Sequence, residues 1–218
     1  MRYLIVVALC LSSCAALKHE CAYNMGLCQK PSELMLVNGA KLHWDKSNLP
    51  VRLEYGPLGD KSIAAYTQAA KWINQQAGCQ IFTAPQWTDQ VGRVDLTCYN
   101  GIDTPAGLSQ MNTWTGDNPN QNHRWETQND DIGETLPMAD QAGVIKTAKV
   151  EIPCATAFDS TQLIIATHEL LHVLGFEHDR ELNSLMYPYV SGAGMNLQDK
   201  DLRLLKNVYC GNDDFKNY

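Results

Sequence analysis

Apolar and polar residues alternate along several short stretches of the chain, and this pattern predicts β-strands. We predict strands at Pro50 to Tyr55, Arg93 to Tyr99 and Val144 to Ile152. In the last two of these stretches, the even-numbered residues are expected to share one face of the strand. Cys79 to Phe82 is predicted as a further strand, and Leu108 to Thr113 shows a weaker strand pattern.

Two longer stretches repeat apolar residues at the spacing of an amphipathic helix. The first, Ser62 to Ala77, is rich in alanine and glutamine, and Gly78 follows where a helix-ending glycine belongs. The second begins at Asp159 or Ser160, either of which can cap a helix N-terminus, with Gln162 as the reciprocal partner. Its apolar face, which indicates burial, consists of Leu163, Ile164, Ala166, Leu170, Leu171 and Leu174.

The second helix carries a pattern of residues typical of a metal site. His168 and His172 are four residues apart, so their imidazoles lie on one face of the helix and can bind a single ion. Glu169 directly follows the first histidine, where its carboxylate lies beside the metal rather than on it. Gly175 can end the helix in a left-handed conformation and turn the chain, which brings His178 back to the ion.

Three histidine ligands leave a fourth position for water, as in catalytic zinc sites, whereas structural zinc usually has four protein ligands. A shorter H-E-x-x-H pattern also occurs as two surface histidines on an ordinary helix. The longer pattern fixes five positions that all follow from one geometry, which favours the metal site. The region also contains three of the six histidines in the chain; the others are His19, His43 and His123.

A second motif, Ser184-Leu185-Met186-Tyr187-Pro188, begins six residues after His178. Together the two motifs resemble the metzincin metalloproteases, in which a tight turn carrying a methionine passes beneath the zinc-bound imidazoles. Met186 matches that methionine. Taken alone, Met186 is as readily an ordinary core side chain, but its distance from His178 favours the turn.

Among metzincins, the sequence is most similar to the matrixins. Met186-Tyr187-Pro188 resembles the matrixin turn, and Leu197 to Tyr209 resembles the last matrixin helix. Gly175-Phe176 and Asp179 are instead similar to astacins or adamalysins, since matrixins more often have serine after the third histidine. Astacins place a tyrosine zinc ligand two residues after the methionine, but Pro188 occupies that position here.

This resemblance implies an α+β, metzincin or zincin-like catalytic domain with a twisted, mainly parallel sheet, an active-site helix and a C-terminal helix. It implies a zinc-dependent endopeptidase that hydrolyses peptide bonds of proteins. One catalytic Zn²⁺ would be held by His168, His172 and His178, with Glu169 as the general base toward a zinc-activated water. Residues 187–195 are expected to line the substrate pocket, among them Tyr187, Pro188, Tyr189 and Val190.

The N-terminus is typical of an export signal. Met1-Arg2 is basic, and the apolar run from Leu4 to Leu11 is well below the ~20 residues that span a bilayer. Leu11-Ser12-Ser13-Cys14 resembles a bacterial lipobox, in which Cys14 would be lipidated; ordinary cleavage after Ala16 is the alternative. We therefore predict an export signal at 1–16, an N-terminal segment at 17–48 and a zinc metalloprotease catalytic domain at 49–218, in an extracytoplasmic protein that is secreted or lipid-anchored.

Six of the eight cysteines lie beyond the export signal, an even number that suits disulfides in an oxidising compartment. Proximity along the chain predicts the pairs Cys21 with Cys28, Cys79 with Cys98, and Cys154 with Cys210. Six cysteines allow 15 pairings, so the sequence leaves the connectivity open. A matrixin cysteine-switch motif is absent. Cys21 or Cys28 could cap the zinc as a thiolate, but a disulfide between them is the preferred interpretation.

Residues 116–134 form a predicted long loop, crowded with Asp, Asn and Gln and almost devoid of aliphatic side chains. Metzincins often bind Ca²⁺ in such loops, and oxygen-rich side chains suit this ion. A solvated loop without an ion is the preferred alternative. His123 alone cannot make the second, structural zinc site that matrixins commonly carry.

The net charge of −7 and the absence of a basic cluster argue against nucleic-acid binding. We expect a monomer that acts on protein or peptide substrates and that meets a membrane only through the N-terminal lipid. The alternative function is a catalytically inactive zinc-fold lipoprotein that serves as a binding partner in the cell envelope.

Overall fold

A computed structural model describes residues 34–88, 93–99, 133–154, 160–179, 181, 184–187 and 196–211. The strands in chain order are β1 (Leu36–Val37), β2 (Ala40–Lys41), β3 (Leu53–Tyr55), β4 (Gln86–Trp87), β5 (Val94–Tyr99), β6 (Glu134–Ala139) and β7 (Ile145–Pro153). The helices are α1 (Asp60–Ala77), α2 (Ser160–Val173) and α3 (Asp199–Leu205), with a single 3₁₀ turn at Lys46–Asn48 and a π-helical turn at Lys206–Cys210 directly after α3.

Five of the strands form one mixed sheet in the order β4-β3-β5-β7-β6. The pairs β3 with β4, β3 with β5 and β5 with β7 are parallel, whereas the edge strand β6 runs antiparallel to β7. Helices α1 and α2 pack against each other; α2 contacts β6 and β7, and the Tyr66 hydroxyl of α1 donates to the Thr97 carbonyl of β5. Both helices therefore cover the same face, and the expected α+β fold with a mainly parallel sheet is confirmed.

Most of the elements predicted from periodicity are present, with shifted ends. The stretches predicted at Pro50, Arg93 and Val144 contain β3, β5 and β7. Helix α1 begins at Asp60 and ends at Ala77, and the φ of +81° at Gly78 is the left-handed conformation expected there. None of the helices in the described ranges is both long and apolar enough to cross a membrane.

The strand predicted at Cys79 to Phe82 is wrong. The side chain of Asn74 accepts hydrogen bonds from the backbone amides of Ile81 and Phe82, and its amide group donates to the Phe82 carbonyl. Asn74 thus takes the place of a strand partner, and Phe82 makes only an isolated bridge to Val51. The weaker strand pattern at 108–113 lies outside the described residues.

The predicted faces of β7 are wrong at its beginning. Met138 pairs with Thr147 but the next residue, Ala139, pairs with Ile145, so Lys146 is an extra residue in β7. Such a bulge reverses the alternation, and accordingly Ile145 is buried whereas Lys146 is exposed. Beyond the bulge the even-numbered residues Ala148, Val150 and Ile152 are buried as expected. Edge strand β6 was not predicted, and the proline within it is typical of an edge.

The disulfides are Cys79–Cys210 and Cys98–Cys154, so the pairings predicted for these four cysteines are wrong. Cys98 lies near the carboxyl end of β5, and Cys154 directly follows the parallel neighbour β7, so the sheet brings them together. Cys79 follows α1, against which the π-helical turn that ends at Cys210 packs. Proximity along the chain does not predict these contacts. The Cys21–Cys28 pair lies outside the described residues.

Residues 34–44 pack on the C-terminal end of α2. The antiparallel pair β1–β2 turns at Asn38 and Gly39, both with positive φ, as a two-residue hairpin requires. The Trp44 indole donates to the carbonyl of Val173, a group that the helix end leaves without an intrahelical partner. Gly175 has a φ of +85°, and the carbonyl oxygen of Leu42 fills the space where a side chain would begin.

We predict that Gly175→Ala destabilises the protein more than Gly78→Ala does. Both glycines have left-handed backbones, for which alanine costs about 1–2 kcal/mol. Only at position 175 would the new methyl group also overlap a backbone oxygen, which adds about 1–3 kcal/mol. Chemical denaturation of the two variants measures the difference, and equal losses in the free energy of unfolding would contradict the close contact with Leu42.

Candidate metal centre

Helix α2 provides a buried, rigid support for two of the three histidines in the motif. Of its predicted apolar face, Ala166, Leu170, Leu171 and Leu174 are fully buried, whereas Leu163 and Ile164 are only partly buried. His168 and His172 are buried beside them on the same side of the helix. After Gly175 the chain turns back, and His178 joins the two from outside the helix.

The three imidazole rings converge on one point through their Nε2 atoms. The Nε2 of His168 lies 3.0 Å from that of His172 and 3.1 Å from that of His178, and the last two are also 3.1 Å apart. Zinc bound tetrahedrally at ~2.0–2.1 Å would separate its nitrogen ligands by roughly 3.4 Å. The triangle of nitrogens is therefore close to the size that one zinc ion requires.

The partners of the other ring nitrogens determine the tautomers. Nδ1 of His168 lies 2.7 Å from the carbonyl oxygen of Leu185, and Nδ1 of His172 lies 2.8 Å from that of Phe176. A carbonyl oxygen can only accept, so in each neutral ring the proton is on Nδ1 and the lone pair is on Nε2. Two lone pairs 3.0 Å apart repel each other unless a cation lies between them, so this donor set fits a bound metal ion.

The surroundings of the site also favour neutral histidines. Burial is the main cause of a lowered pKa at all three histidines. The pKa of His168 is lowered, that of His172 is well below its usual value, and that of His178 is lowered to about 4. At neutral pH the rings therefore do not carry the protons that would compete with a metal.

Glu169 is only 4% exposed, and Thr135 of β6 contacts its carboxylate. The Thr135 hydroxyl lies 2.7 Å from Oε2 of Glu169 and 3.0 Å from its backbone carbonyl. Gly133, directly before β6, leaves room for the other carboxylate oxygen: a Cβ atom there would lie 2.6 Å from Oε1. The Thr135 hydroxyl therefore fixes one oxygen of the carboxylate, and the lack of a side chain at Gly133 leaves space for the other oxygen.

The turn at Met186 links the first and third histidines. Leu185 accepts the hydrogen bond from His168, and the Met186 carbonyl accepts one from the backbone amide of Asp179, the residue after His178. Ser184, Leu185 and Met186 are all buried. Tyr187 is partly buried next to them, whereas the predicted pocket residues Pro188, Tyr189 and Val190 lie outside the described residues, as do Cys14 and nearly all of the loop proposed for calcium.

Gly133 and Thr135 are site residues that the sequence did not predict. Gly133 fell within the predicted loop at 116–134, and Thr135 lies on the edge strand that periodicity missed. Threonine followed by alternating Leu136 and Met138 is a weak strand pattern, and the proline between them obscures it. No local pattern indicates that this strand meets the glutamate of a helix that begins more than twenty residues later.

Three converging histidines on and after a helix that packs behind a mainly parallel sheet define a metallopeptidase of the metzincin class. The family model of the matrixins matches residues 66–210, which is more than half of the chain and includes most of α1, all of α2 and the histidine motif. The chain therefore belongs to the matrixin family of peptidases. A search of the curated proteins found no match.

We predict that Gly133→Ala lowers kcat by about 10–100-fold with little change in KM, because the new methyl group displaces the Glu169 carboxylate. Zinc content should stay at the parent level, since the atoms nearest to the new methyl group belong to Glu169 and not to a histidine. Gly56→Ala is the matched control, because a Cβ atom there meets no other atom within 4 Å. Steady-state kinetics on a peptide substrate decide the question, and a parent-like kcat for Gly133→Ala would refute the positioning of Glu169 described above.

Proposed function

We propose that the protein is a zinc-dependent endopeptidase in which His168, His172 and His178 hold the zinc and Glu169 is the general base. The observation that carries this proposal is the triangle of three Nε2 atoms, on and after a helix that also carries the buried, hydrogen-bonded carboxylate of Glu169. Within the described part of the chain, the cluster of candidate ligand atoms contains these three nitrogens and no cysteine or carboxylate. Such a donor set supports an open, catalytic type of site rather than a closed, structural one.

When bound in such a site, zinc supplies Lewis acidity that makes water more acidic and polarises a substrate carbonyl. The backbone carbonyls of Leu185 and Phe176 fix the His168 and His172 rings so that their Nε2 lone pairs would be available to a metal ion. The carboxylate of Glu169 accepts a proton from the attacking water and later delivers it to the nitrogen of the leaving amine. The Thr135 hydroxyl keeps Oε2 of that carboxylate oriented during both transfers.

The position of strand β6 favours a substrate that binds as an additional strand at the edge of the sheet. Strand β6 is one of the two edge strands of the sheet, and its Thr135 hydroxyl contacts the carboxylate of Glu169. An extended peptide that pairs with such an edge would lie with its backbone across the site and continue past it in both directions. This suits cleavage within a chain. Tyr187, Pro188, Tyr189 and Val190, which follow the Met186 turn, are proposed to receive a substrate side chain.

The surroundings of the enzyme are part of the proposal. Two disulfides in the described residues suit an oxidising compartment, as does membership of a family whose members are generally extracellular. We propose that the chain is exported by its residues 1–16, is secreted or anchored through a lipid on Cys14, and acts as a monomer. Calcium bound in the loop at 116–134 would be an additional ion, and the proposed peptide cleavage would not require it.

We predict that Glu169→Gln abolishes peptide cleavage but keeps the zinc. The amide retains the size of the carboxylate but cannot accept the proton, which lowers kcat by about 10²–10⁴-fold. Cleavage of a mixed peptide library, followed by mass spectrometry, measures activity, and elemental analysis measures zinc. A chelator should suppress the parent activity, and added zinc should restore it.

Two outcomes would contradict the proposal. Equal cleavage by the parent and by Glu169→Gln would remove Glu169 from the mechanism. Zinc-loaded parent protein that cleaves nothing, like the variant, would instead favour the inactive, partner-binding lipoprotein.

A further inference from the structure

A buried lysine on α3 pairs with two carboxylates next to the metal centre. Lys200 is 5% exposed, although it lies in the first turn of a helix near the C-terminus. Its ammonium group makes an ion pair with the carboxylate of Asp179 and lies 3.1 Å from Oε1 of Glu181. A buried charge of this kind requires partners, because its desolvation is costly.

The two carboxylates belong to the short segment that follows His178. Oδ1 of Asp179 accepts a hydrogen bond from the Glu181 backbone amide, and the Asp179 amide donates to the Met186 carbonyl. Asp179 is therefore bonded to the Met186 turn through its backbone and to Lys200 through its carboxylate. His178 directly precedes it, so the position of Asp179 restricts the position of that imidazole.

Helix α3 is well suited to act as the fixed side of this contact. Gln198 and Asp201 form reciprocal capping bonds at its N-terminus. Leu205 is fully buried, and the π-helical turn that follows α3 ends at Cys210, whose disulfide partner Cys79 lies just after α1. The Tyr209 hydroxyl of that turn donates to the Leu174 carbonyl at the end of α2. The backbone that carries Lys200 is thus anchored to both long helices.

The three histidines differ in how they are held. His168 and His172 share the frame of α2, but His178 lies beyond the turn at Gly175, where no helix fixes its direction. We propose that Lys200 is a positioning residue for the metal centre: by binding Asp179 and Glu181, it holds His178 at the distance from His168 and His172 that zinc requires. This inference rests on the proposed function to the extent that the three histidines bind zinc.

The test measures zinc affinity in the full-length protein and in its Lys200→Met variant by competition with a chromogenic chelator. Methionine keeps much of the side-chain volume but removes the charge, so that Asp179 and Glu181 lose their common partner. Loss of a group that orients a metal ligand typically weakens metal binding by about 10–100-fold, and we expect a loss in that range. Cobalt substitution gives a second readout, since a displaced His178 would alter the visible absorption bands of the bound Co²⁺.

Lys146→Met is the matched control. Lys146 also pairs with an aspartate, Asp140, at 3.0 Å, but the two side chains are 57% and 40% exposed. We expect its zinc dissociation constant to stay within about twofold of the parent, because an exposed pair contributes little. Asp179→Asn is the second test variant. It keeps the size of the side chain, should weaken zinc binding like Lys200→Met, and decides the question if Lys200→Met fails to fold.

The outcomes separate this inference from the proposed function. A parent protein that does not bind zinc would overturn both. If the parent binds zinc and the folded test variants bind it as tightly, with unchanged cobalt spectra, then Lys200 does not position His178, even if the variants unfold at a lower temperature.

Discussion

The structure depends on the convergence of three imidazole rings on one point. Backbone carbonyls of Leu185 and Phe176 hold the Nδ1 protons of His168 and His172, so the Nε2 atoms that face each other at 3.0 Å carry no proton. Burial lowers the pKa of each ring and removes protonation as a way to relieve the repulsion. A cation at the centre of the three nitrogens would remove this repulsion, and the surrounding fold holds the imidazole rings in place.

Several elements of the fold hold the histidines and Glu169 in place. Helix α2 is fixed by its apolar face, and its last carbonyls are bound by Trp44 and Tyr209 from opposite ends of the chain. The Met186 turn accepts hydrogen bonds from the His168 ring and from the backbone amide of Asp179. Lys200 of α3 makes an ion pair with the Asp179 carboxylate. Strand β6 contacts the Glu169 carboxylate through Thr135 and is an edge strand of the sheet formed by the described residues.

The sequence predicts the local parts of this structure well and the long-range parts poorly. The spacing of His168, His172 and His178 predicts their convergence because one helix and one glycine turn are enough to produce it. The Gly78 cap and the apolar faces of α1 and α2 are local in the same sense. The disulfide pairs, the Asn74 contacts that replace a strand, and the meeting of Thr135 with Glu169 depend on how distant segments pack, which no local pattern encodes. Asp179 appeared only as a departure from the usual matrixin sequence; Lys200, a distant residue, is the partner that gives it a role.

X-ray absorption spectroscopy of the zinc-loaded protein tests the central claim most directly, because it reports the atoms bound to the metal. The open, three-histidine site predicts three imidazole nitrogens at ~2.0–2.1 Å and one oxygen from water. A sulfur ligand at ~2.3 Å, or a fourth imidazole, would mean that the site is closed by another part of the chain and would contradict the account.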